Sequence, residues 1–306
     1  MALLYFLEGI RIPVLNEFML LITMLGEETA FLVIALIMFW CVDKKKGYYI
    51  LSVGFVGTIL SQFMKLLCRV PRPWILDKDF TILENAREAA SGYSFPSGHS
   101  QSAVGTFGGI ATVIKVKWIR IVAIVIAILV PISRMYIGVH TPQDVIVGSL
   151  ISLVLIFLLK PIVFSENKKN LPIFLGVMTL LAVGYTLFVE LYPFPADIDV
   201  ANLASGRKNA YTLLGALAGF LVVYFIDEKW LNFSTKATWW AQILKVFLGL
   251  LIVLAVKSGL KSLLNVLFGE LIGRSVRYFL IVVIAGILWP LSFRFFAKLG
   301  VSTGKE

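Results

Sequence analysis

Lys65-Leu66-Leu67-Cys68-Arg69-Val70-Pro71-Arg72-Pro73 is the stretch on which the reading of this chain turns. It closes an apolar run at about 47–67 and leaves a lysine and an arginine, six residues between them, at the end of that run. Two more clusters follow. Pro96-Ser97-Gly98-His99 opens the next apolar run, which ends near residue 114. Ser133-Arg134, then His140 and Asp144, bridges the two after it, about 118–137 and 142–163. The chain has two histidines, and both lie in these clusters. If each apolar run crosses a membrane, the first cluster ends one crossing, the second starts the next, and the third joins the following pair. All three then lie at one membrane face.

Composition supports the crossings. Of the 306 residues, 59% are hydrophobic and 15% charged, with a mean hydropathy of +0.90. A soluble domain is about half apolar and about a quarter charged. The runs are unbroken and of helical length, without the ten-residue alternation of a barrel. The expected fold is therefore all-α, a polytopic transmembrane helical bundle of about nine spans plus interfacial helices. The other spans are expected at about 30–42, 171–192, 210–226, 239–256 and 275–296. Residues 3–25, broken by Glu8, Arg11, Pro13, Asn16 and Glu17, read as an interfacial or half-buried helix. The polar stretch 74–95, with Asp77, Lys78, Asp79, Glu84, Arg87 and Glu88, reads as a cap over the clusters. Leu260, Leu263, Leu264, Leu267 and Leu271 form a stripe that suggests an interfacial helix after a break at Ser258-Gly259. Gly215 and Gly219 are spaced for close helix packing.

The net charge of +10 would suggest nucleic acid in a soluble protein. Here most of it sits in short loops, so no nucleic-acid partner is expected. The loops with 44–46, 115–120, 160–169, Lys229 and Lys236, together with Arg294, Lys298 and Lys305, are the more basic set and are assigned to the cytoplasm with the C-terminus. The clusters then face the other side. Lys257, Lys261, Arg274 and Arg277 oppose this bias, and an interfacial role is favoured for Lys257 and Lys261. Cys41 and Cys68 fall near opposite ends of neighbouring spans, too far apart for a disulfide. The first residues lack the basic start of a cleavable signal.

Lys65, Arg72 and Arg134 bring three cations to one place at the membrane surface, which implies an anionic partner. The planar forks of the arginines suit phosphate oxygens. Ser97 and Gly98 at the start of a helix offer backbone N–H groups, a hydroxyl and room for a close approach. Thr141-Pro142 after His140 marks a helix start, with Asp144 in its first turn, able to reach back to the imidazole. A carboxylate on one ring nitrogen fixes the tautomer and makes the other a better nucleophile. His99 remains as a second proton carrier. Phosphoryl transfer needs these parts: a nucleophile, a proton for the leaving oxygen, and cations on the equatorial oxygens. No carboxylate or thiolate cluster has metal-ligand spacing, so a metal-free reaction without cofactor is expected. Each residue alone has a plainer use: snorkelling anchor, turn, packed histidine, helix cap. Their convergence on one face argues against all of those holding at once.

The signature Lys-x6-Arg-Pro, Pro-Ser-Gly-His and Ser-Arg-x5-His-x3-Asp resembles that of the type 2 phosphatidic acid phosphatase, or lipid phosphate phosphatase, superfamily. It matches over Lys65 to Pro73, Pro96 to His99 and Ser133 to Asp144 with no departure at the signature positions. Soluble acid phosphatases and vanadium haloperoxidases share the signature, but the spans argue for the membrane branch. The resemblance implies that His140 attacks phosphorus and forms a phosphohistidine, that Asp144 orients it, and that His99 protonates the leaving oxygen and then helps activate water. Lys65, Arg72, Ser97, Gly98 and Arg134 would hold the phosphate. Residues 1–165 would form the phosphatase core and 166–306 an additional transmembrane region, with a nine-span layout similar to glucose-6-phosphatases.

The expected activity is metal-independent hydrolysis of lipid phosphate or diphosphate head groups by an integral membrane enzyme, in a bacterial inner or plasma membrane. A glucose-6-phosphatase-like hydrolase, a lipid phosphotransferase and a non-enzymatic lipid-phosphate carrier stay open as alternatives. Homo-oligomerisation also stays open.

Overall fold

The computed structural model describes residues 1–87 and 90–299. Glu88 of the polar stretch and Lys305 of the C-terminal basic set lie outside them. Among the described residues the secondary structure is helical throughout, with no strand. In chain order α1 is Ala2–Gly9, α2 Pro13–Met24, α3 Glu28–Ile37, α4 Lys44–Cys68 and α5 Pro73–Leu76. Then come α6 Gly98–Ala103, α7 Gly109–Val113, α8 Lys117–Tyr136, α9 Pro142–Val163, α10 Asn170–Leu191 and α11 Val200–Ile226. α12 Trp239–Phe268, α13 Glu270–Val283, α14 Trp289–Leu291 and α15 Phe293–Lys298 complete the chain.

Among the described residues, seven helical segments are long and apolar enough to cross a membrane, or eight if Pro13–Met24 and Glu28–Val42, bent by 55° at their break, count as one span. The expected span at 97–114 is the helix that falls short. It runs as α6, a π-helical turn Val104–Gly108 and α7, of 6, 5 and 5 residues. That is about 24 Å of helix at 1.5 Å per residue, less than the roughly 30 Å of a bilayer core. Large apolar side chains such as Trp118, Ile121, Val125 and Ile128 of α8 and Leu150, Val154 and Phe157 of α9 stay exposed. Lipid covers such a surface without the cost that water would exact.

Besides the span count, a second expectation fails. The chain does not break at Ser258-Gly259: α12 continues through both and ends at Gly269, whose φ of +77° turns the chain into α13. A glycine meets no steric penalty there, whereas Gly259 lies within regular helix.

The chain divides into two compact units. The first is Met1–Ile34, Tyr49–Pro161 and Leu191–Gly206; the second is Ala35–Tyr48, Ile162–Glu190 and Arg207–Glu306. Within the first, α1 and α2 lie against α8. Arg11 ties them to the stretch after α5 and to the end of α8, donating from Nη1 to the Thr81 carbonyl at 2.9 Å and from Nε to the Tyr136 carbonyl at 3.1 Å. The stretch after α5 is anchored by Phe80 and Ile82, which bury against Leu4. Within the second unit, α11 packs tightly on α13: a Cβ on Gly215 would sit 1.9 Å from the Ser275 carbonyl oxygen. The Gly215/Gly219 pair is therefore used inside the bundle.

Candidate active site

All three clusters fall in the first unit, and local signals build each one. α4 ends because Arg69 takes a left-handed φ of 51° and Pro71 cannot continue a helix. Arg72 is then extended at the cap position of α5, with Pro73 at the first helical position. Ser97 caps α6, its hydroxyl accepting from the Ser100 N–H at 3.3 Å. α8 ends at Tyr136, and Gly138, with φ +87°, turns the chain towards His140. Thr141 and Asp144 form a capping box at the start of α9. The Asp144 N–H donates to Thr141 Oγ1 at 3.3 Å, and the Thr141 N–H donates to Asp144 Oδ2 at 2.7 Å.

The three cations are buried, and Lys65 and Arg72 lean on backbone carbonyls. Lys65 Nζ donates to the Tyr93 carbonyl. Arg72 donates from Nε to Gly92 O at 3.0 Å, from Nη2 to Ser91 O at 2.8 Å and from Nη1 to Val139 O at 2.9 Å. Arg134, 1% exposed, donates from Nη1 to Thr23 Oγ1 at 2.8 Å, while its Nε is buried without a hydrogen-bond partner. The Nε2 of His99 is likewise buried and unpartnered. A Cβ built on Gly98 meets nothing within 4 Å. Three buried cations beside one buried carboxylate, Asp144, leave a local excess of positive charge. With a donor unspent on Arg134 and a ring nitrogen unpartnered on His99, that excess favours a multiply charged anion.

His140, 1% exposed, is held from both sides. Nδ1 lies 3.4 Å from Asp144 Oδ2, and Nε2 lies 2.9 Å from Arg72 Nη1. A guanidinium has only donors, so Nε2 must accept and the ring proton sits on Nδ1, towards Asp144. This is the tautomer with its lone pair on the nitrogen facing the cation. Burial first, then the charges of Arg72, Arg134 and Lys65, and last His99, hold the imidazole well below its usual pKa, hence neutral.

The structure thus brings His140, Asp144 and Arg72 into contact, and sets Lys65 and Arg134 close enough to act on the imidazole. Ser97 joins this group through its N–H, which donates to the Asp144 carbonyl at 2.9 Å. Sequence reasoning missed Ser94. Its hydroxyl donates to Asp144 Oδ2 at 2.6 Å and lies 3.4 Å from His140 Nδ1. The only signal was the small and polar run Ser91-Gly92-Tyr93-Ser94 just before Pro96, which also supplies the carbonyls for Lys65 and Arg72. Thr23 gave no signal, because its partner Arg134 is 111 residues away in sequence. No group of three His, Cys, Asp or Glu among the described residues converges as metal ligands would.

Comparison with known proteins bears on these residues. Residues 45–168 match the PAP2 superfamily. The chain is 36% identical over 174 residues to Phosphatidylglycerophosphatase B of Bacillus subtilis, covering 53% of this chain and 80% of that protein. The chain belongs to the PAP2 superfamily. A second PAP2 match covers residues 211–302, described as "PAP2 superfamily phosphatase, transmembrane extension". Undecaprenyl-diphosphatase of Sulfolobus acidocaldarius is 31% identical over 46% of this chain and 67% of its own length. A solved transmembrane PAP2-type phosphatidylglycerolphosphate phosphatase from Bacillus subtilis is 33% identical, with a TM-score of 0.45 over 55% of this chain and 85% of that one. This PAP2 chain is an integral membrane phosphatase, and the resemblance read from its three clusters is to the family it belongs to.

Proposed function

We propose that the chain hydrolyses the phosphate or diphosphate head group of a membrane lipid through a phosphohistidine on His140, without a metal ion. The observation that carries this reading is the imidazole held by Asp144 at Nδ1 and faced by Arg72 at Nε2. Nε2 attacks phosphorus as the bond to the leaving oxygen breaks, and His99 gives that oxygen its proton. Asp144 stabilises the imidazolium that forms. Water then attacks the phosphohistidine, His99 takes its proton, and inorganic phosphate leaves with His140 restored. Lys65, Arg72, Arg134 and the Ser97-Gly98 backbone bear on the phosphoryl oxygens, where charge stabilisation contributes most.

The names of the two relatives, a phosphatidylglycerophosphatase and an undecaprenyl-diphosphatase, support a lipid-borne mono- or diphosphate as substrate. Residues 1–165 carry the chemistry in this reading and 166–306 form an added transmembrane region. The site faces away from the cytoplasm and the C-terminus lies in it, as the more basic loops indicate.

The test is phosphate release by the detergent-purified protein in excess chelator, comparing lipid phosphates with glucose 6-phosphate, with His140→Ala alongside. Chelator-resistant release from lipids that the variant loses supports the reading. Release that stops with chelator, or that favours glucose 6-phosphate, overturns it.

A further inference from the structure

The second unit carries a cation that the proposed chemistry does not use. Arg277 lies two helical turns into α13, within the candidate span Glu270–Lys298, and is 5% exposed. Its Nε and Nη1 are buried with no hydrogen-bond partner, and none of the ion pairs among the described residues includes it. An arginine inside a span is costly unless something answers its charge, and a buried guanidinium whose Nε and Nη1 are unspent can still take an acceptor on that side.

Its surroundings are positive. Arg274, one turn earlier, donates from Nε to Thr212 Oγ1 of α11 at 2.6 Å. Both guanidinium carbons lie against the same ring, at 5.6 and 5.7 Å from the centre of Tyr278, so the two groups converge. The acid at the start of α13 is engaged: Glu270 pairs with Lys208 at 2.9 Å. α12 and α13 meet closely at their shared end, where a Cβ on Gly273 would sit 2.5 Å from the Leu264 carbonyl oxygen. Close to that end α12 carries Lys261, exposed, which acts on Glu270 together with Lys208 and Arg274.

We propose that Arg277 and Arg274 form a second anion site, which takes the phosphate group of an anionic membrane lipid. The chemistry is that of a phosphate oxygen accepting from a guanidinium fork. A lipid is favoured over free phosphate because the same helix ends present bare apolar side chains: Leu263, Val266, Leu267 and Ile272 are all more than half exposed. Acyl chains can lie there while the head group reaches the arginines. This proposal does not depend on the route of hydrolysis at His140.

The test uses the full-length protein in detergent. Its thermal midpoint is titrated with phosphatidylglycerol, phosphatidylcholine and inorganic phosphate, for wild type, Arg277→Gln and Arg274→Gln. Phosphatidylglycerol should raise the wild-type midpoint at low concentration. Arg277→Gln should need about tenfold more, the scale of one lost charge-assisted contact, and should hydrolyse a short-chain soluble phosphomonoester as wild type does. If Arg277→Gln does not fold, Arg274→Gln carries the comparison. An unchanged phosphatidylglycerol response in the variants, or an equal response to phosphatidylcholine, overturns the proposal. A response to inorganic phosphate that matches phosphatidylglycerol and is lost with Arg277 makes it a free-anion site and overturns the lipid assignment.

Discussion

Arg72 Nη1 lies 2.9 Å from His140 Nε2, so in the proposed reaction the cation that would bind the phosphate also occupies the lone pair that would attack it. That reaction would require substrate to take over the arginine's donors before the nitrogen could reach phosphorus. The side chain is otherwise fixed by the carbonyls of Ser91, Gly92 and Val139. Arg72→Lys keeps the charge but cannot reproduce that fork. It should lower kcat/KM by about 10²–10³-fold, the scale of losing one preorganised donor, while circular dichroism stays native. Activity within a few-fold of wild type would contradict the assigned role.

The same geometry fixes a pH dependence. His140 is held neutral by burial and by three cations, so its folded pKa lies below its unfolded value of about 6.5. Between those two values the unfolded chain binds a proton that the native chain does not. Stability is therefore complete above about pH 6.5 and falls as the pH drops towards the folded pKa. In kcat/KM, the acid limb assigned to His140 should lie below pH 6.5. In Arg72→Gln it should move upward, since a cation that opposes protonation is gone. The pH profiles of kcat/KM for the two proteins check this; a limb that stays still rules out His140 as its source.

Ser94 should act through Asp144. Ser94→Ala removes the 2.6 Å hydrogen bond to Oδ2 and leaves the capping bond from Thr141 in place. A hydrogen bond to a charged group contributes about 1.5–3 kcal/mol. The variant should lose tenfold or more in kcat with KM little changed, and Ser94→Thr should recover part of it. A fall in KM-linked binding alone would point to a merely structural role.

Gly148 couples packing to the site. A Cβ there would sit 2.4 Å from the Ser97 carbonyl oxygen and 3.4 Å from its nitrogen. Gly148→Ala should push α9 off the Pro96-Ser97-Gly98 turn. A cost of about 1–3 kcal/mol is expected for overpacking, together with a fall in activity larger than the lost stability explains. Thermal melts and initial rates of the purified variant measure both.

Much of this was legible in the chain. Lys65, Arg72, Ser97, Arg134, His140 and Asp144 could be read as one group because each sits at the end of an apolar run, and all six fall in the first compact unit. The two uses weighed for Asp144, helix cap and partner of His140, are both present: one oxygen accepts from the Thr141 N–H and lies 3.4 Å from the imidazole. Sequence failed where a contact has no local pattern. The helix through Gly259 was misread because an amphipathic stripe with a glycine before it looks the same whether the helix ends there or runs on.

The sequence by itself determined the membrane class, most of the helices and the residues that meet, because hydropathy and helical period act locally along the chain. Only the tertiary structure decided which nitrogen of His140 faces Arg72, that Ser94 braces Asp144 from 50 residues away, and that Arg277 is left with unspent donors. Those outcomes depend on distances between segments far apart in the chain, and such distances are set by packing.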